Sequence, residues 1–386
     1  MRVLQIVNIG FEAGGAEKSV RLIAEGLGAR GHQVRVVATD LLAEGREVFA
    51  DELVPAISGG PARRLLGYFW HRPAHRRVAR AVREFRPDCV HLHTIGEFSP
   101  AVLAATRGCR RVLTVHGPED WTRELLRWNL ASAASGGRLT PGDRARYLYL
   151  RFLQRPAYLP RLRRVDRVLA PSRWFADAVR ADVGSVPVFV LPNGIARSAA
   201  PAPVAATDRV LFVGRLERVK GVHVLLDAFR RLLTDRPQAR LSVVGDGSDR
   251  ARLEASAADL VADGRVTFHG WLPAEDVADR LREASVVALP SLWPENFPTV
   301  ALEALQLGRP LVASRVGGLP ELVGPDNGAL VEPGDAAGLA TALGALLGDR
   351  ELLQRLGDGS AARADRYGVE RFLDALEDHY EEVAAQ

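Results

Sequence analysis

The segment RVLFVGRLERVKG, residues 209–221, joins a strand-like run to the start of a helix. Its apolar half is typical of a strand that is buried on both faces of a parallel sheet. Similar runs alternate with amphipathic helical stretches along the chain, which is the pattern of βαβ units. The predicted strands are residues 2–8, 33–39, 88–93, 111–116, 166–172 and 187–193, then 209–215, 239–246, 265–270, 285–291 and 310–314.

The two sets of strands are separated by SAAPAPVAATD, residues 198–208, which is small and proline-rich as a linker would be. A chain of 386 residues also exceeds what one hydrophobic core usually supports. The sequence therefore predicts an α/β protein with two Rossmann-like, doubly wound parallel-sheet domains that face each other across a cleft. We place them at residues 1–195 and 196–368, followed by an amphipathic C-terminal helix in 369–386.

The composition is that of an ordinary globular protein, with 47% hydrophobic and 25% charged residues. Cys89 and Cys109 have no paired spacing, so we expect neither a disulfide framework nor a metal site. The N-terminal MRVLQIVNIG is too short in its apolar part for a signal peptide or a membrane span. These features favour a cytoplasmic protein.

The net charge of +4 is unevenly distributed. Residues 1–195 carry 30 Lys and Arg against 18 Asp and Glu (+12), and the remainder carries 21 against 29 (−8). Segments 61–86 and 147–164 combine many of these arginines with Leu, Tyr and Phe. They fit two interpretations equally, a peripheral contact with an anionic membrane or solvated basic helices. We expect no nucleic-acid partner.

Arg215 and Lys220 follow the strand of the opening segment, at the edge where open parallel sheets bind ligands. Lys220 is one of only two lysines in the chain, the other being Lys18. An arginine fork and a lysine point charge suit a diphosphate. The alternative is an ordinary surface pair.

A second motif is SLWPENFPTVALEALQLG, residues 291–308. Pro298 and Gly308 suit the start and end of a helix that is apolar on nearly every face and therefore buried. Glu303 inside it predicts a partner such as the ribose diol, and Glu295 in the preceding loop is placed to bind sugar hydroxyls. The backbone amides at Phe297, Thr299 and Val300 form a helix N-terminus that attracts phosphate. The alternative is a helix-start glutamate plus a core glutamate paired with an arginine.

Weaker signals come from glycines and histidines that follow strands. Gly245, Asp246 and Gly247 would let the backbone approach a nucleotide, although Gly-Asp-Gly is also a common turn. Gly14 and Gly15 open a helix in a loop that departs from G-x-G-x-x-G. His116 follows a strand directly before Gly117, which favours a site role. His93 is a weaker candidate of the same kind, and His91 is expected in the core.

Ligands for a metal are missing from the sequence. No two aspartates are separated by a single residue, and no His/Cys cluster is present. We therefore expect no metal and no other cofactor, so that Arg215, Lys220 and the helix dipole would neutralise a diphosphate.

The combination of GGAE, GRLERVKG, VGDG and PENFPTVALEALQLGRPLVAS resembles glycosyltransferase family 4, the retaining GT-B enzymes. The resemblance covers both domains. It implies a nucleotide-diphosphate sugar held mainly by the C-terminal domain, an acceptor held by the N-terminal one, and a last helix that crosses back to the N-terminal domain. No protein nucleophile is implied.

The resemblance also assigns roles to residues. Arg215 and Lys220 would bind the diphosphate, Glu295 the sugar, Glu303 the ribose, Gly15 the phosphate-facing loop, and His116 the sugar near the reacting carbon. Asn296, where the family more often has glycine, and the preceding Trp293-Pro294 depart from the pattern.

The donor and the acceptor are less well defined by the sequence. UDP is favoured on family frequency, and GDP-mannose is the alternative. The acceptor hydroxyl belongs to a lipid-linked molecule, a saccharide or an amine-bearing small molecule. Gly14 and His93 are candidate acceptor contacts, and an amine-bearing acceptor is suggested by acidic residues that follow strands. The acidic residues are Glu97, Glu119, Asp120 and Glu124.

Two other classes of function compete with a transferase. A catalytically idle sugar-nucleotide-binding protein is disfavoured by the complete set of Arg215, Lys220, Glu295, Glu303 and His116. A nicotinamide-dependent dehydrogenase is disfavoured by the missing dinucleotide fingerprint.

Overall fold

The computed structural model describes residues 1–117, 119, 121–123, 126, 130, 140–196, 201–205 and 207–386. The described residues divide into two compact units. The first contains residues from 1–194 together with 370–386, and the second contains 195–369.

Within the described ranges, the first unit is built on a seven-stranded parallel sheet of order β3-β2-β1-β4-β5-β6-β7. The strands are β1 Arg2–Ile9, β2 Gln33–Thr39, β3 Glu52–Val54, β4 Cys89–Leu92, β5 Arg111–Thr114, β6 Arg167–Ala170 and β7 Val188–Val190. The helices are α1 Gly15–Ala29, α2 Pro61–Phe69, α3 Arg72–Phe85, α4 Ala101–Ala105, α5 Pro141–Tyr149, α6 Arg155–Leu162 and α7 Arg173–Val183. A π-helical turn at Leu150–Gln154 links α5 to α6.

In the second unit, the described residues form a six-stranded parallel sheet of order β10-β9-β8-β11-β12-β13. The strands are β8 Arg209–Val213, β9 Arg240–Val244, β10 Val266–Gly270, β11 Val286–Leu289, β12 Leu311–Ser314 and β13 Gly328–Val331. The helices are α8 Val222–Asp235, α9 Arg250–Ser256, α10 Ala258–Ala262, α11 Ala274–Glu283, α12 Thr299–Gln306, α13 Leu319–Leu322, α14 Ala336–Gly348 and α15 Arg350–Ala364.

The inner strands are apolar because both faces of each sheet are covered. All four residues of β4 and of β11 are buried, as expected for parallel strands between helical layers. The predicted strands are confirmed with small differences at their ends. Two strands were not predicted, β3 and β13, because runs of three and four residues with little alternation carry almost no strand signal.

The strand order places a topological switch point in each sheet. In the first unit the chain moves outward from β1 and returns at β4, and in the second it moves outward from β8 and returns at β11. The loops that follow such a strand pair open away from each other and leave a crevice at the carboxyl edge. Residues 214–220 and 290–298 therefore flank the crevice of the second sheet.

The last helix, α16 at Val369–Ala384, packs on the first unit. Its Leu373 occupies the space beside Gly26 of α1, where an added Cβ would come within 2.4 Å of Leu373 Cδ1. Arg30 bonds to Glu377 and Glu370 of α16 at 2.5 Å. Within the described part of the chain, no helix is both long enough and apolar enough to cross a bilayer.

Candidate active site

The loops after β8 and β11 are joined through their backbones. Leu292 N donates a hydrogen bond to Val219 O at 2.7 Å. Gly221 has φ +73°, and a Cβ there would lie 1.9 Å from Pro290 O. Only glycine permits this approach. The contact holds Lys220, the residue before that glycine, against segment 290–295.

Lys220 and Glu295 form a largely buried ion pair at this junction. Lys220 Nζ donates to Glu295 Oε1 at 2.7 Å, and Ser291 Oγ donates to the same oxygen at 2.5 Å. The side chains of Lys220 and Glu295 are 16% and 10% exposed. The ammonium also lies 5.2 Å from the centre of the Trp293 ring. The sequence analysis named both residues but did not predict that they pair.

The pKa of Glu295 reflects opposing influences. Burial raises it, but the charge of Lys220 and the hydrogen bonds from Lys220 and Ser291 outweigh burial and hold the pKa below its ordinary value. The carboxylate is therefore ionised at neutral pH. Lys220 has three N–H donors, and among the described residues Glu295 accepts from one of them. The other two can bind an anion.

A further loop closes over the backbone of Glu295. Gly318 N donates to Glu295 O at 2.7 Å. Gly317 has φ +55°, and its added Cβ would lie 2.1 Å from that same oxygen. These glycines and Ser291 hold Glu295 in place. The signal in the sequence is the Gly-Gly pair of VGGLPELV, residues 316–323.

Arg215 lies on the same loop as Lys220 but has a different partner. Its side chain is 60% exposed, and Nη1 donates to Glu217 Oε1 at 2.7 Å. The two basic residues thus have separate acidic partners, and convergence of both on one diphosphate stays a prediction. A diphosphate that bound to Arg215 would replace Glu217 as the partner of the guanidinium.

Helix α12 begins at Thr299, after Pro298, and Gly308 with φ +68° follows its end, as predicted. The expectation that Glu303 is fully buried is wrong. Thr299, Val300 and Glu303 are all partly exposed, while Ala301, Leu302, Ala304 and Leu305 are buried. Residues spaced by three and four share one face of a helix, so Glu303 lies one turn above the amides of the helix N-terminus. Contact of one ligand with all three stays a prediction.

Asn296 and Phe297 lie between the ion pair and α12. Both are buried, at 8% and 4% exposure. The Phe297 ring packs edge-on against Tyr367 at 5.3 Å between centroids. The backbone of this segment is therefore supported from the core side, and the contact of its amides with phosphate stays a prediction.

The glycines after β9 have a structural explanation that differs from the predicted one. Gly245 has φ +129°, and its Cβ would lie 1.9 Å from Gly214 O. A Cβ on Gly247 would lie 2.5 Å from Leu216 O. These glycines let the β9 loop pack against the β8 loop, so their presence alone does not indicate a nucleotide. Asp246 Oδ1 accepts from Gly247 N at 2.7 Å.

The first unit carries a histidine cluster at the ends of β4 and β5. His93, which is completely buried, bonds through Nδ1 to His116 Nε2 at 2.9 Å and through Nε2 to Gln5 Oε1 at 3.0 Å. Burial lowers the pKa of His116 to about 4, although its side chain keeps some exposed surface. Burial and the neighbouring histidines hold the pKa of His93 well below its usual range. Both rings are neutral at pH 7.

His91, expected in the core, is completely buried there. It bonds to Tyr380 Oη of α16 at 2.6 Å and to Thr114 Oγ1 at 2.7 Å, and its ring centre lies 3.9 Å from that of His93. His93 differs from its predicted role as an acceptor contact, because both ring nitrogens are already bonded inside the protein.

The other predicted residues of the first unit have varied positions. Gly14 precedes α1 and Gly15 begins it, and both are exposed. Glu97 Oε1 accepts from Tyr68 Oη at 3.0 Å, and Glu119 is partly exposed. Asp120 and Glu124 lie outside the described residues. The described part of the chain contains no group of three His, Cys, Asp or Glu side chains arranged to hold a metal ion.

Comparison with known families matches both halves of the chain. Residues 13–198 match the model described as Glycosyltransferase Family 4, and residues 201–363 match the model described as Glycosyl transferases group 1.

Curated relatives carry glycosyltransferase names. The D-inositol 3-phosphate glycosyltransferase of Corynebacterium jeikeium is 39% identical over 185 residues, covering 46% of this chain and 44% of that protein. The glycogen synthase of Mycobacterium tuberculosis is 31% identical over 281 residues, covering 71% and 63%. The MMP alpha-(1->4)-mannosyltransferase of Mycolicibacterium hassiacum is 32% identical over 266 residues, covering 67% and 62%. The matched parts thus cover between 44% and 63% of the length of these relatives.

Solved structures share the fold over the full length. Sucrose-phosphate synthase from Thermosynechococcus elongatus has a TM-score of 0.76 at 21% identity, covering 100% of this chain and 99% of that one. Anabaena Alr3699/HepE, solved in complex with UDP-glucose, has a TM-score of 0.71 at 22% identity, covering 99% and 100%. At such identities the likeness concerns the fold, which is the GT-B arrangement of two Rossmann-like domains.

Proposed function

This chain belongs to the GT-B glycosyltransferases of family 4, and on that premise we propose that it transfers a hexosyl or N-acetylhexosaminyl group, with retention, from a nucleotide-diphosphate sugar to an acceptor hydroxyl. The second unit binds the donor and the first binds the acceptor. The observation that carries the proposal is the Lys220–Glu295 pair at the switch point of the second sheet. Lys220 has two N–H donors that no described residue accepts, and α12 begins four residues after its partner Glu295, a combination that suits a departing diphosphate.

In the proposed reaction the acceptor hydroxyl attacks the anomeric carbon from the face that the diphosphate leaves. The transition state is oxocarbenium-like, and a phosphate oxygen takes the proton. Lys220 and Arg215 stabilise the leaving group, Glu295 holds sugar hydroxyls, Glu303 holds the ribose, and His116 contacts the sugar. Metal independence is part of the proposal, since the sequence lacks an Asp-x-Asp pair. Full activity in excess EDTA is expected.

The lysine content of the chain supplies a matched test of the leaving-group role. Lys220→Ala should lower turnover by roughly 10²-fold or more, as loss of one preorganised charge donor commonly does. Lys18→Ala removes the only other lysine and should leave turnover unchanged. Nucleotide release in a coupled assay is the measurement. Near wild-type transfer by Lys220→Ala would defeat the assignment.

UDP is the proposed donor nucleotide. It is supported by family frequency and by structural neighbours that were solved in complex with UDP and UDP-glucose, while the mannosyltransferase among the relatives keeps GDP-mannose as the alternative. A thermal-shift screen of UDP, GDP, ADP and TDP sugars decides between them. A ligand at 100 times its Kd stabilises the protein by about 2.7 kcal/mol, which such a screen detects.

The same assays separate the transferase from its competitors. A sugar-nucleotide-binding protein without activity would give a thermal shift and no nucleotide release with any acceptor. A nicotinamide-dependent dehydrogenase would bind NAD and none of the nucleotide sugars.

The acceptor side of the proposal includes a peripheral contact with an anionic membrane, where a lipid-linked acceptor would be found. Exposed apolar side chains lie among the arginines of α2 and of the π-helical turn, including Leu66 at 70% and Phe152 at 62% exposure. Liposome co-sedimentation should show binding to anionic vesicles at low salt, weakened in Leu66→Ser but not in Trp271→Ser, which alters an exposed residue of the second unit. No binding at low salt would favour a saccharide or amine-bearing acceptor.

A further inference from the structure

The histidine cluster of the first unit contains a hydrogen-bond chain whose direction is fixed at one end. Gln5 Nε2 lies 3.4 Å from Val20 O, and Gln5 Oε1 lies 3.0 Å from His93 Nε2. A backbone carbonyl cannot donate, so the amide group of Gln5 must face Val20 and its oxygen must face His93. Reversing the side chain would place two oxygens against each other in a site where Gln5 is completely buried.

This orientation determines the proton positions on the two following rings. Gln5 Oε1 can only accept, so His93 carries its proton on Nε2. A neutral imidazole has one donor and one acceptor nitrogen, so His93 Nδ1 accepts. His116 Nε2, 2.9 Å away, must then donate to it. The remaining nitrogen, His116 Nδ1, has no proton.

The unprotonated nitrogen is also available. No described residue bonds to His116 Nδ1, and the side chain is partly exposed at the carboxyl edge of the first sheet. His116 follows Val115 just after the end of β5, at the edge where ligands of open parallel sheets bind.

We propose that Gln5 and His93 are positioning residues that hold His116 as the Nε2–H tautomer, so that its Nδ1 presents a hydrogen-bond acceptor to a hydroxyl group of the bound ligand. Under the proposed function this hydroxyl belongs to a sugar, and only this identification of the hydroxyl rests on the proposed function. The opposite tautomer would present an N–H, which would donate to the hydroxyl oxygen instead of accepting its hydrogen, so the tautomer sets the direction of the bond. The opposite tautomer would break the buried hydrogen bond between His116 and His93, so the stated tautomer is favoured by roughly tenfold.

The test is the tautomer itself, measured by NMR on the whole chain with 15N-labelled histidine and no ligand. Long-range proton–nitrogen correlations distinguish protonated from unprotonated ring nitrogens, and the His116→Gln variant assigns the signal. In the wild type we expect His116 with a protonated Nε2 and an unprotonated Nδ1. A proton on Nδ1 would overturn the proposal without any variant, and would leave the proposed transferase activity untouched.

His91 provides a matched control for His93. Both are completely buried, and their ring centres are 3.9 Å apart, but His91 is bonded to Tyr380 and Thr114 and is not part of the hydrogen-bond chain from Gln5 to His116. His93→Phe should convert His116 to a mixture of tautomers, and His91→Phe should leave the single tautomer. Gln5→Met, which removes the fixed acceptor while keeping the shape, should also give a mixture. If both His93→Phe and Gln5→Met fold and keep the wild-type signal, the positioning role is refuted.

Discussion

Replacing Lys220 by Met tests the ion pair as a structural element, independently of any substrate. Lys220 is 16% exposed and its partner Glu295 is 10% exposed, so the substitution leaves a carboxylate in a largely water-free site. Ser291 Oγ still donates to Oε1, and the methionine fills most of the volume of the lysine stem. The main effect is therefore electrostatic.

The expected cost follows from this geometry. Removing one partner of a buried ion pair typically costs about 3–5 kcal/mol. The retained serine bond and the residual exposure place this case at about 2–3 kcal/mol. For a unit of this size, 1 kcal/mol corresponds to roughly 2–4 °C in melting temperature, so Tm should fall by about 5–10 °C.

The effect depends on pH with a defined sign. In the wild type the pKa of Glu295 is lowered, so the pair contributes stability above the ordinary carboxyl pKa and loses it as pH falls through the lowered value. In Lys220→Met, burial is opposed by the serine bond but no longer by the lysine, and it raises the carboxyl pKa. The variant's deficit should be largest near pH 7.5 and should shrink towards about pH 4, where the carboxyl becomes neutral.

Calorimetric unfolding at several pH values measures this difference. The double variant Lys220→Met/Glu295→Gln, which removes the buried charge, should recover most of the loss at pH 7.5. A deficit below about 0.5 kcal/mol, the range of ordinary surface substitutions, would show that the pair is not buried in solution. A deficit that grows as pH falls would contradict the electrostatic account.

Other predictions concern single positions. Gly221→Ala should destabilise the protein by more than about 2 kcal/mol, because its Cβ would lie 1.9 Å from a backbone carbonyl and its φ is positive. Gly28→Ala, in open space inside α1, should instead stabilise the protein by about 0.5–1 kcal/mol. Urea titration compares the two variants. Tyr380→Phe should cost about 1–3 kcal/mol in the same titration, because it leaves a buried nitrogen of His91 without its 2.6 Å bond. Cys89, whose thiol pKa burial raises to about 12, should resist iodoacetamide at pH 8 until the protein is unfolded, as mass spectrometry would show.

Much of the fold was predictable because it depends on local patterns. The runs that became β1, β8 and β11 are apolar enough to read as buried parallel strands, and their alternation with helices limits the topology. The short strands β3 and β13 were missed because their pairing with a neighbour, and not their own composition, makes them strands. The ends of α12 were predictable since Pro298 and Gly308 act on their own backbone.

The candidate site was predictable as a set of residues but not as a set of contacts. Lys220 and Glu295 were each named, yet each was assigned to a ligand, and their bond to each other was not foreseen. The reverse occurred at Gly245, where a ligand was invoked for a glycine that the backbone of the neighbouring loop requires.

What the sequence determined by itself is therefore the parallel α/β architecture and the chemical types of residue that gather at the carboxyl edges. What only the tertiary structure decided is which charges neutralise each other, which side of α12 faces outward with Glu303, and how Gln5 orients two histidines that lie about 90 residues or more further along the chain. The physical reason is the distance along the chain over which each kind of interaction acts. Helix, strand and turn preferences act between residues a few positions apart, whereas hydrogen-bond direction and charge pairing depend on distances of about 3 Å that exist only after the loops have packed.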